Sequence, residues 1–271
     1  MPMPSPAPSL RSVRHLLGGV ALAACVAGPA MADRPLRIAA TPGPMADIIQ
    51  FAAGRARQQG LDVEVIEFSD WNTPNQAVAD GSADANLFEH IPFLDDANQA
   101  RGYGLVAVAP AVVMPMALFS HRVKSFDQVP DGATVAIAND PVNGGRGLQL
   151  LEKAGLITLR PGAGDKAGEE DILANPRHLK FTELEAPQLA RSLDDVTLAQ
   201  VSMTYLIASG GDPHTALLTD GAGNLHYAIQ FVARPQNKAD PRLVKFISIF
   251  RSPEEKAYIT SRFGDAVAPA W

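Results

Sequence analysis

The fold is decided by the stretch Leu36-Arg37-Ile38-Ala39-Ala40-Thr41-Pro42-Gly43-Pro44 and the residues that follow it. Its first five residues form an apolar run that predicts a buried strand, and Pro42-Gly43-Pro44 predicts a turn. The segment from Met45 to Gln59 predicts a helix, because its apolar side chains recur with the helical period (Ile48, Ile49, Ala52, Ala53 and Ala56). Gly60 then ends the helix. A strand, a tight turn and an amphipathic helix in this order are typical of an α/β protein.

The same alternation continues to the end of the chain. Further strands are predicted at Leu61–Phe68, Leu105–Ala109, Met116–Ser120, Thr134–Ala138, Lys180–Glu185, Leu198–Ser202 and Tyr227–Ala233. Further helices are predicted at Asn75–Asp80, Gly145–Ala154, Ala186–Leu193, Pro241–Phe250 and Ser252–Phe263. The pattern predicts an α/β protein with mostly parallel sheets, arranged as two lobes with a cleft between them. Ligands of such sheets bind beyond the carboxyl ends of the strands, so function is sought in the loops there.

Composition and charge exclude several classes of protein. Hydrophobic residues make up 46% of the 271 residues and charged residues 19%, which is typical of a chain with a buried core. The 23 basic residues are outnumbered by 29 acidic ones, which argues against a dedicated surface for nucleic acid. A single cysteine permits neither an intrachain disulfide framework nor a zinc site built from cysteines.

The first 32 residues have the pattern of an export signal. Arg11 and Arg14 precede an apolar run from Leu16 to Val26, which is too short to remain as a membrane-spanning helix. Ala30-Met31-Ala32 follows as a cleavage pattern before Asp33, the first acidic residue. A buried core helix is the alternative, although Gly28-Pro29 would break it. We therefore predict that residues 1–32 are a signal peptide and that the mature protein works outside the cytoplasm.

A second processing site competes with this one. Leu22-Ala23-Ala24-Cys25 resembles a bacterial lipobox, in which Cys25 becomes the lipid-bearing N-terminal residue of a lipoprotein. Lipidation at Cys25 and free secretion after Ala32 are both consistent with the sequence.

The sequence contains no recognisable catalytic motif. The six histidines lack metalloprotease spacing, and neither a nucleophile elbow nor a phosphate-binding glycine loop is found. We therefore expect a binding protein rather than an enzyme, with no metal and no cofactor.

The stretch Ala138-Asn139-Asp140-Pro141-Val142-Asn143-Gly144-Gly145-Arg146 is the most informative loop. It predicts a strand that enters a glycine-rich turn, with a helix beginning around Gly145. Free N–H groups at that helix start, together with the Arg146 guanidinium, would bind a carboxylate or a sulfonate. The alternative is a plain turn with Arg146 on the surface.

Aromatic side chains cluster near other predicted strand ends. Trp71 follows one strand, and the stretch Asn86-Leu87-Phe88-Glu89-His90-Ile91-Pro92-Phe93 carries three more rings. Phe88 and His90 are two residues apart and face the same way in an extended backbone. Trp71, Phe88, His90 and Phe93 could line an apolar pocket with one polar handle, or they could be ordinary core residues.

Several segments resemble those of the MetQ/NlpA family, and the resemblance is collinear from Leu36 to Trp271. The segments that carry it include Thr41-Pro42-Gly43-Pro44, Glu67-Phe68-Ser69-Asp70, Asp84-Ala85-Asn86-Leu87-Phe88-Glu89-His90, Asn139-Asp140-Pro141, Glu183-Leu184-Glu185-Ala186-Pro187-Gln188-Leu189 and Pro269-Ala270-Trp271.

The resemblance implies a fold, a role and partners. The fold would be a two-lobed, type II-like periplasmic binding protein, with residues 33–112 and 224–271 in one lobe and residues 113–223 in the other. The role would be to deliver methionine or a related small amino acid to the permease and ATPase of an ABC importer. The protein would lie in the periplasm or on the outer face of the cell membrane, with Cys25 as a possible lipid anchor.

The resemblance also implies roles for particular residues. Arg146 would pair with the α-carboxylate of the ligand, with Asn139 among the ligand-binding residues of the same loop. A thioether side chain would be enclosed by Trp71, Phe88, His90 and Phe93, and tyrosine is usual in the family at positions 71 and 93.

Two positions depart from the family pattern. Ser202 and Ile229 stand where the family usually has asparagines that contact the polar head of the ligand. The loss leaves three hypotheses open: a methionine-binding protein, the same fold with another apolar or sulfur-containing ligand, and an enzyme that uses His90 as a base.

Overall fold

Strands and helices alternate from Leu36 onward, as the hydrophobic periodicity predicts. The computed structural model describes residues 1–3, residue 5 and residues 34–271, and Arg34–Trp271 form one unit by their internal contacts. Cys25 and the predicted cleavage pattern at residues 30–32 lie outside the described residues.

The elements are numbered here in chain order. The strands are β1 (Leu36–Ala40), β2 (Val63–Glu67), β3 (Ala85–His90), β4 (Val106–Val113), β5 (Met116–Phe119), β6 (Thr134–Ala138), β7 (Thr158–Leu159), β8 (Ile172–Ala174), β9 (Lys180–Leu184), β10 (Leu198–Ser202), β11 (Leu218–Thr219), β12 (Ala228–Ala233) and β13 (Ala268–Pro269). The helices are α1 (Pro44–Gln58), α2 (Thr73–Asp80), α3 (Ile91–Arg101), α4 (Pro141–Lys153), α5 (Ala186–Leu189), α6 (Met203–Ala208), α7 (Pro241–Phe250) and α8 (Pro253–Phe263).

Two sheets form the two lobes of the α/β fold. The first lobe is built on a six-stranded sheet with the order β13-β4-β12-β3-β1-β2, and the second on a five-stranded sheet with the order β11-β5-β10-β6-β9. The small β7-β8 pair stands apart from both. The chain passes from the first sheet to the second between β4 and β5, and it returns between β11 and β12.

The prediction of mostly parallel sheets is wrong, because both sheets are mixed. In the first sheet β1 is parallel to β2 and β3, whereas β12 is antiparallel to β3 and β4. In the second sheet β6 is parallel to β9 and β10, whereas β5 is antiparallel to β10 and β11. The strand–helix–strand pattern correctly gives the parallel pairs. It does not reveal that β12 comes back from the second lobe and inserts between β3 and β4.

Helices cover both faces of each sheet and bury the core against it. On one face of the first sheet, Phe231 of β12 packs edge-on against Phe246 and Phe250 of α7, with ring centroids 6.1 and 5.0 Å away. These three rings are essentially inaccessible to solvent, and each contributes roughly 1.5–3 kcal/mol through burial. The same apolar cluster continues into the second lobe through Val201 and Leu206, so the two lobes share one core.

Two helix boundaries differ from the predictions by several residues, and two helices, α3 and α6, were not predicted. The helix expected from Gly145 begins at Pro141, where the Asp140 carboxylate accepts a hydrogen bond from Asn143 N at 2.8 Å and caps the helix. The predicted helix Ala186–Leu193 ends at Leu189 and is followed by a short 3₁₀ turn. Helix α3 was not predicted, because only Phe93 and Leu94 are buried along it and no apolar stripe marks it.

Candidate functional site

A narrow cavity of about 30 Å³ lies where the two sheets meet. It is bounded by the ends of β3 and β10, the starts of α3, α4, α6 and β12, and the β4–β5 connection. Its walls are formed by Trp71, Phe88, Glu89, His90, Phe93, Met114, Met116, Asn143, Arg146, Ser202, Thr204, Tyr227 and Ile229. Residues from both lobes therefore enclose one small space, and the lobes must part before a molecule larger than about two waters can enter it.

All predicted site residues except Asn139 line this cavity. The Asn139 side chain instead donates a hydrogen bond to Glu185 Oε1 at 2.8 Å, outside the cavity. Sequence reasoning missed Glu89, Met114, Met116, Asn143, Thr204 and Tyr227. Asn143 lies in the loop stretch that the sequence singled out, and Tyr227 was known only as the start of a predicted strand.

A β-bulge in β3 turns three consecutive side chains toward the cavity. His90 is opposite Ile229 and Leu87 is opposite Phe231, so Phe88 and Glu89 together face the single residue Gln230 of β12. An extra residue of this kind bends a strand and redirects its side chains. Phe88, Glu89 and His90 consequently all reach the cavity wall, which simple alternation does not allow.

The apolar wall is organised around Phe93. Its ring centroid lies 6.2 Å from that of Trp71 and 5.9 Å from that of Phe88, both in edge-to-face arrangements. Trp71 in turn packs against Tyr205 at 5.4 Å, and the Tyr205 hydroxyl donates to the backbone oxygen of Ser69 at 3.3 Å. Edge-to-face pairs of this geometry are favourable beyond their buried area.

His90 is held as a neutral ring by hydrogen bonds on both nitrogens. Its Nδ1 accepts from the backbone N–H of Phe93 at 3.3 Å and caps α3, which places the proton on Nε2. Nε2 then donates to Asn143 Oδ1 at 3.2 Å, and this bond joins the two lobes. Burial, together with the nearby charge of Arg146, lowers the pKa of His90 to about 3.

Arg146 lies in the second turn of α4 and is buried at the polar end of the cavity. Its Nε donates to Asp220 Oδ2 at 2.5 Å, and Nη2 donates to the backbone oxygen of Met114 at 3.3 Å. The guanidinium carbon stands 4.0 Å from the centre of the Tyr227 ring. Arg146 is therefore a cavity residue and not a solvated surface residue.

The glycines before Arg146 serve close packing, and the prediction that they form a helix-starting turn is wrong. A Cβ on Gly144 would lie 2.7 Å from Ala138 O, and one on Gly145 would overlap Asp165 O. A Cβ on Gly147 would overlap the side chain of Gln200. The small residues thus let α4 approach β6, β10 and the 164–167 loop closely enough to bring Arg146 into the cavity.

Glu89 is a buried carboxyl group in the cavity wall. Its two oxygens accept from the side-chain amides of Asn75 at 2.9 Å and Asn86 at 3.2 Å. Burial raises the pKa of Glu89 to about 8, so its neutral form prevails at pH 7.

Ser202 and Ile229 offer few hydrogen-bonding groups to the cavity. Ser202 Oγ accepts from the backbone N–H of Thr204 at 3.3 Å and caps α6, which leaves its hydroxyl hydrogen for another partner. Thr204 Oγ1 donates to the sulfur of Met114 at 2.7 Å. Ile229 offers only apolar surface.

Comparison with known proteins decides the family. The model of the NlpA lipoproteins matches residues 36–271. The chain belongs to the NlpA lipoprotein family. Lipoprotein 28 of Escherichia coli strain K12 is 41% identical over 260 residues, which cover 94% of this chain and 95% of that protein. The D-methionine-binding lipoprotein MetQ of Salmonella typhimurium is 38% identical over 264 residues, which cover 96% of this chain and 97% of MetQ.

Solved structures of NlpA-like proteins share the two-lobed fold. The periplasmic substrate-binding protein of an ABC transporter from Coxiella burnetii is 41% identical and aligns with a TM-score of 0.83 over 87% of this chain and 100% of that one. A nutrient-binding protein from Burkholderia cenocepacia, solved with bound methionine, is 34% identical and aligns with a TM-score of 0.82 over 87% of this chain and 100% of that one.

Residues 1–3, 5 and 34–271 carry neither a membrane-spanning helix nor a metal-binding cluster of acidic, histidine or cysteine side chains. None of the helices in this part of the NlpA-family chain combines the length and the apolar character needed to cross a bilayer. The same residues contain no group of three or more histidine, cysteine, aspartate or glutamate side chains placed to hold a metal ion.

Proposed function

We propose that this chain is the extracytoplasmic solute-binding protein of an ABC importer and that its cavity holds one small amino acid, with methionine as the first candidate. The observation that carries the proposal is the combination, within one enclosed cavity, of a buried guanidinium at one end and an aromatic wall at the other. The relationship to MetQ and to the methionine-bound Burkholderia protein supports the choice of ligand.

The polar end suits the α-carboxylate of an amino acid. Arg146 uses Nε and one Nη2 hydrogen within the protein, and its remaining donors are left for a ligand. A charge-assisted bond between guanidinium and carboxylate is among the strongest polar contacts that such a site can make.

The apolar end suits a thioether side chain. Trp71, Phe88 and Phe93 present ring edges and faces, and Met114 and Met116 add polarizable sulfur. Sulfur against aromatic rings contributes about 0.3–1.5 kcal/mol, so methionine is favoured over an aliphatic chain of equal size. Another apolar or sulfur-containing amino acid is the second candidate, favoured by Ser202 and Ile229, which give the ligand head fewer polar partners.

The binding cycle requires the lobes to open. We assign residues 33–112 and 224–271 to the first lobe and residues 113–223 to the second, which follows the sheet to which each strand belongs except at Val113, the last residue of β4. Bonds that cross between them, including His90 to Asn143 and Lys166 Nζ to Asp96 Oδ1 at 2.5 Å, would break on opening. Delivery would then occur when the open lobes dock on the permease and its ATPase.

The same proposal includes a location. The protein would work in the periplasm or on the outer membrane surface of the cell, after removal of residues 1–32 or after lipidation at Cys25. Membership of a lipoprotein family supports lipidation at Cys25. Mass spectrometry of the mature N-terminus would separate the two, because lipidation requires a chain that begins at Cys25.

An enzymatic role for His90 is disfavoured by its hydrogen bonds. The lone pair on Nδ1 accepts from Phe93 N, and Nε2 carries a hydrogen that is donated to Asn143. A general base needs a lone pair directed at a substrate proton, and neither ring nitrogen offers one.

Isothermal titration tests the proposal. Protein that begins at Asp33, freed of copurified ligand, should bind L- or D-methionine tightly and at one site. Native mass spectrometry before ligand removal should detect the bound compound directly. A panel of amino acids that yields no binding, with no ligand found by native mass spectrometry, would contradict the proposed function.

A further inference from the structure

Asp220 occupies a position that the proposed function does not explain. Its Oδ2 accepts from Arg146 Nε at 2.5 Å, and its Oδ1 accepts from the backbone N–H of Met116 at 3.0 Å. The side chains of Arg146 and Asp220 are 5% and 11% exposed, so the pair is almost removed from solvent. The guanidinium expected to receive a ligand carboxylate therefore already has an anionic partner.

The pairing fixes the part of the guanidinium that a ligand can use. Nε is bonded to Asp220, one Nη2 hydrogen goes to Met114 O, and the Tyr227 ring covers one face. Within the part of the chain that the structure describes, Nη1 has no hydrogen-bond partner. Asp220 thus binds Arg146 at Nε, and Nη1 on the other side of the guanidinium remains available to a ligand.

The pairing also sets the charge of the cavity. Arg146 and Asp220 cancel each other, and His90 is neutral. Glu89 is mostly neutral at pH 7, since its pKa is about 8. Two further carboxylates lie behind the wall. Asp140 accepts from the side-chain amide of Asn143 at 3.1 Å, and Asp165 accepts from the Tyr227 hydroxyl at 2.8 Å and from His226 Nε2 at 2.8 Å. The cavity therefore has no excess positive charge with which to compensate an anion.

A poorly solvated site penalises any uncompensated charge. A zwitterionic amino acid brings one positive and one negative group and leaves the total unchanged. An anion of the same shape adds one negative charge close to the Asp220 carboxylate, where screening by water is weak.

We propose that Asp220 is a specificity-determining residue that restricts this cavity to ligands whose charges sum to zero. It would do so in addition to positioning Arg146. The chemical class is the free α-amino acid, and the excluded class is the carboxylate that lacks an ammonium group. The inference rests on the proposed function, since it concerns the same cavity.

The test compares methionine with 2-hydroxy-4-(methylthio)butanoate, its analogue in which a hydroxyl replaces the ammonium group. Both compounds are titrated calorimetrically into the wild-type protein and into Asp220→Asn. The wild-type protein should prefer methionine by at least about tenfold. In Asp220→Asn the preference should fall to about threefold or less, chiefly because the anion binds more tightly.

A matched control is available on the surface. Asp62 also pairs with an arginine, Arg57, at 3.3 Å, but the two side chains are 70% and 75% exposed. Asp62→Asn removes the same charge from the same kind of pair and should leave the preference at its wild-type value.

The outcomes separate this inference from the proposed function. Wild-type protein that binds neither these compounds nor any other amino acid of the panel overturns both, whereas binding of another amino acid moves the comparison to that amino acid and its hydroxy-acid analogue. Wild-type protein that binds both compounds equally well overturns the inference and leaves the function intact. A folded Asp220→Asn variant that keeps the wild-type preference for methionine over its hydroxy analogue also overturns the inference. If Asp220→Asn does not fold, Asp220→Glu replaces it: retained charge should retain the preference, and its loss there overturns the inference.

Discussion

The three rings of the apolar end come from the first lobe and the charged pair of the polar end from the second, whereas Met116 of the second lobe and Tyr227 of the first lobe contribute to the opposite ends. Trp71, Phe88 and Phe93 follow or end strands of the first sheet, whereas Arg146 and Asp220 come from elements of the second. In the apolar end, ring-to-ring packing fixes the side chains and leaves the choice of ligand side chain broad. In the polar end, directional hydrogen bonds fix each atom.

The division assigns the two halves of a ligand to the two lobes. The side chain of the amino acid would rest on the first lobe and its carboxylate on the second. A bound ligand would thereby hold the lobes together, which links binding to closure. The first two of the following predictions each alter one end and leave the other intact.

The largest effect on ligand affinity is expected at the polar end from Arg146→Met. The substitution removes the carboxylate partner and leaves Asp220 buried without its cation. Loss of one member of a buried charge pair costs about 3 kcal/mol or more, so calorimetry should show methionine affinity lowered on the order of 100-fold.

Arg57→Met provides the control for this change. Arg57 also pairs with an aspartate, but at the exposed surface, where such pairs contribute little. Affinity should not change in this variant. Arg146→Met with near wild-type affinity would show that the guanidinium does not bind the ligand.

The largest effect on stability, as distinct from affinity, is expected at the apolar end from Phe93→Ala. Truncation removes the ring that contacts Trp71, Phe88 and His90 and leaves a void in the wall. The free energy of unfolding should fall by about 3–5 kcal/mol, measured by denaturant titration. Phe93→Tyr keeps the ring and should retain most of the stability. Leu173→Ala, at an exposed position, should leave it unchanged.

The elements of the fold could be predicted from sequence wherever the apolar pattern is local. The predicted bounds of β6, β10 and α7 agree with the structure, since each has a dense run of buried residues. Helix α3 was not predicted, because most of its residues are at least partly exposed. The mixed pairing of β12 depends on a return from the second lobe that no short window contains.

The site could be predicted only in part for a similar reason. Residue type and position after a strand pointed to Trp71, Phe88 and His90. The partner of Arg146 lies 74 residues away, and no local pattern connects it to Asp220. Asn139 was expected at the ligand through the family resemblance, and its side chain instead donates a hydrogen bond to Glu185 Oε1, a partner 46 residues away.

A smaller effect on affinity is expected from adding amide side chains to the cavity wall beside the polar head of the ligand. In Ser202→Asn with Ile229→Asn, the two side chains regain amide donors and acceptors at the cavity wall. A buried polar atom that gains a partner recovers about 1–3 kcal/mol, so methionine should bind roughly 10- to 100-fold more tightly. The measurement is calorimetry with L- and D-methionine.

Leu225→Asn is the matched control, because it makes a similar change at a side chain that is 65% exposed. It should not alter affinity. No gain in the double variant would contradict the idea that these two positions weaken methionine binding.

The smallest effect on ligand affinity is expected from pH, whereas the effect of pH on stability has opposite signs at the acidic and the alkaline end of the range. The pKa of His90 is about 3 in the folded protein and 6.5 in the unfolded chain, so its contribution to stability is lost as pH falls from 6.5 toward 3. The pKa of Glu89 is about 8 when folded and 4.5 when unfolded, so its contribution is complete below pH 4.5 and is lost as pH rises through 8.

Glu89→Gln isolates the alkaline half of this dependence. The variant removes the ionisable group and should flatten the decline in stability between pH 5 and pH 8, which is at most about 1.4 kcal/mol per pH unit for one group. Burial also raises the pKa of Glu255 in α8 to about 8, so Glu255→Gln should flatten the decline similarly. Only Glu89 lines the cavity, so only Glu89→Gln should remove a weakening of methionine binding above pH 8. Equal effects of the two variants on binding would show that Glu89 acts on stability alone.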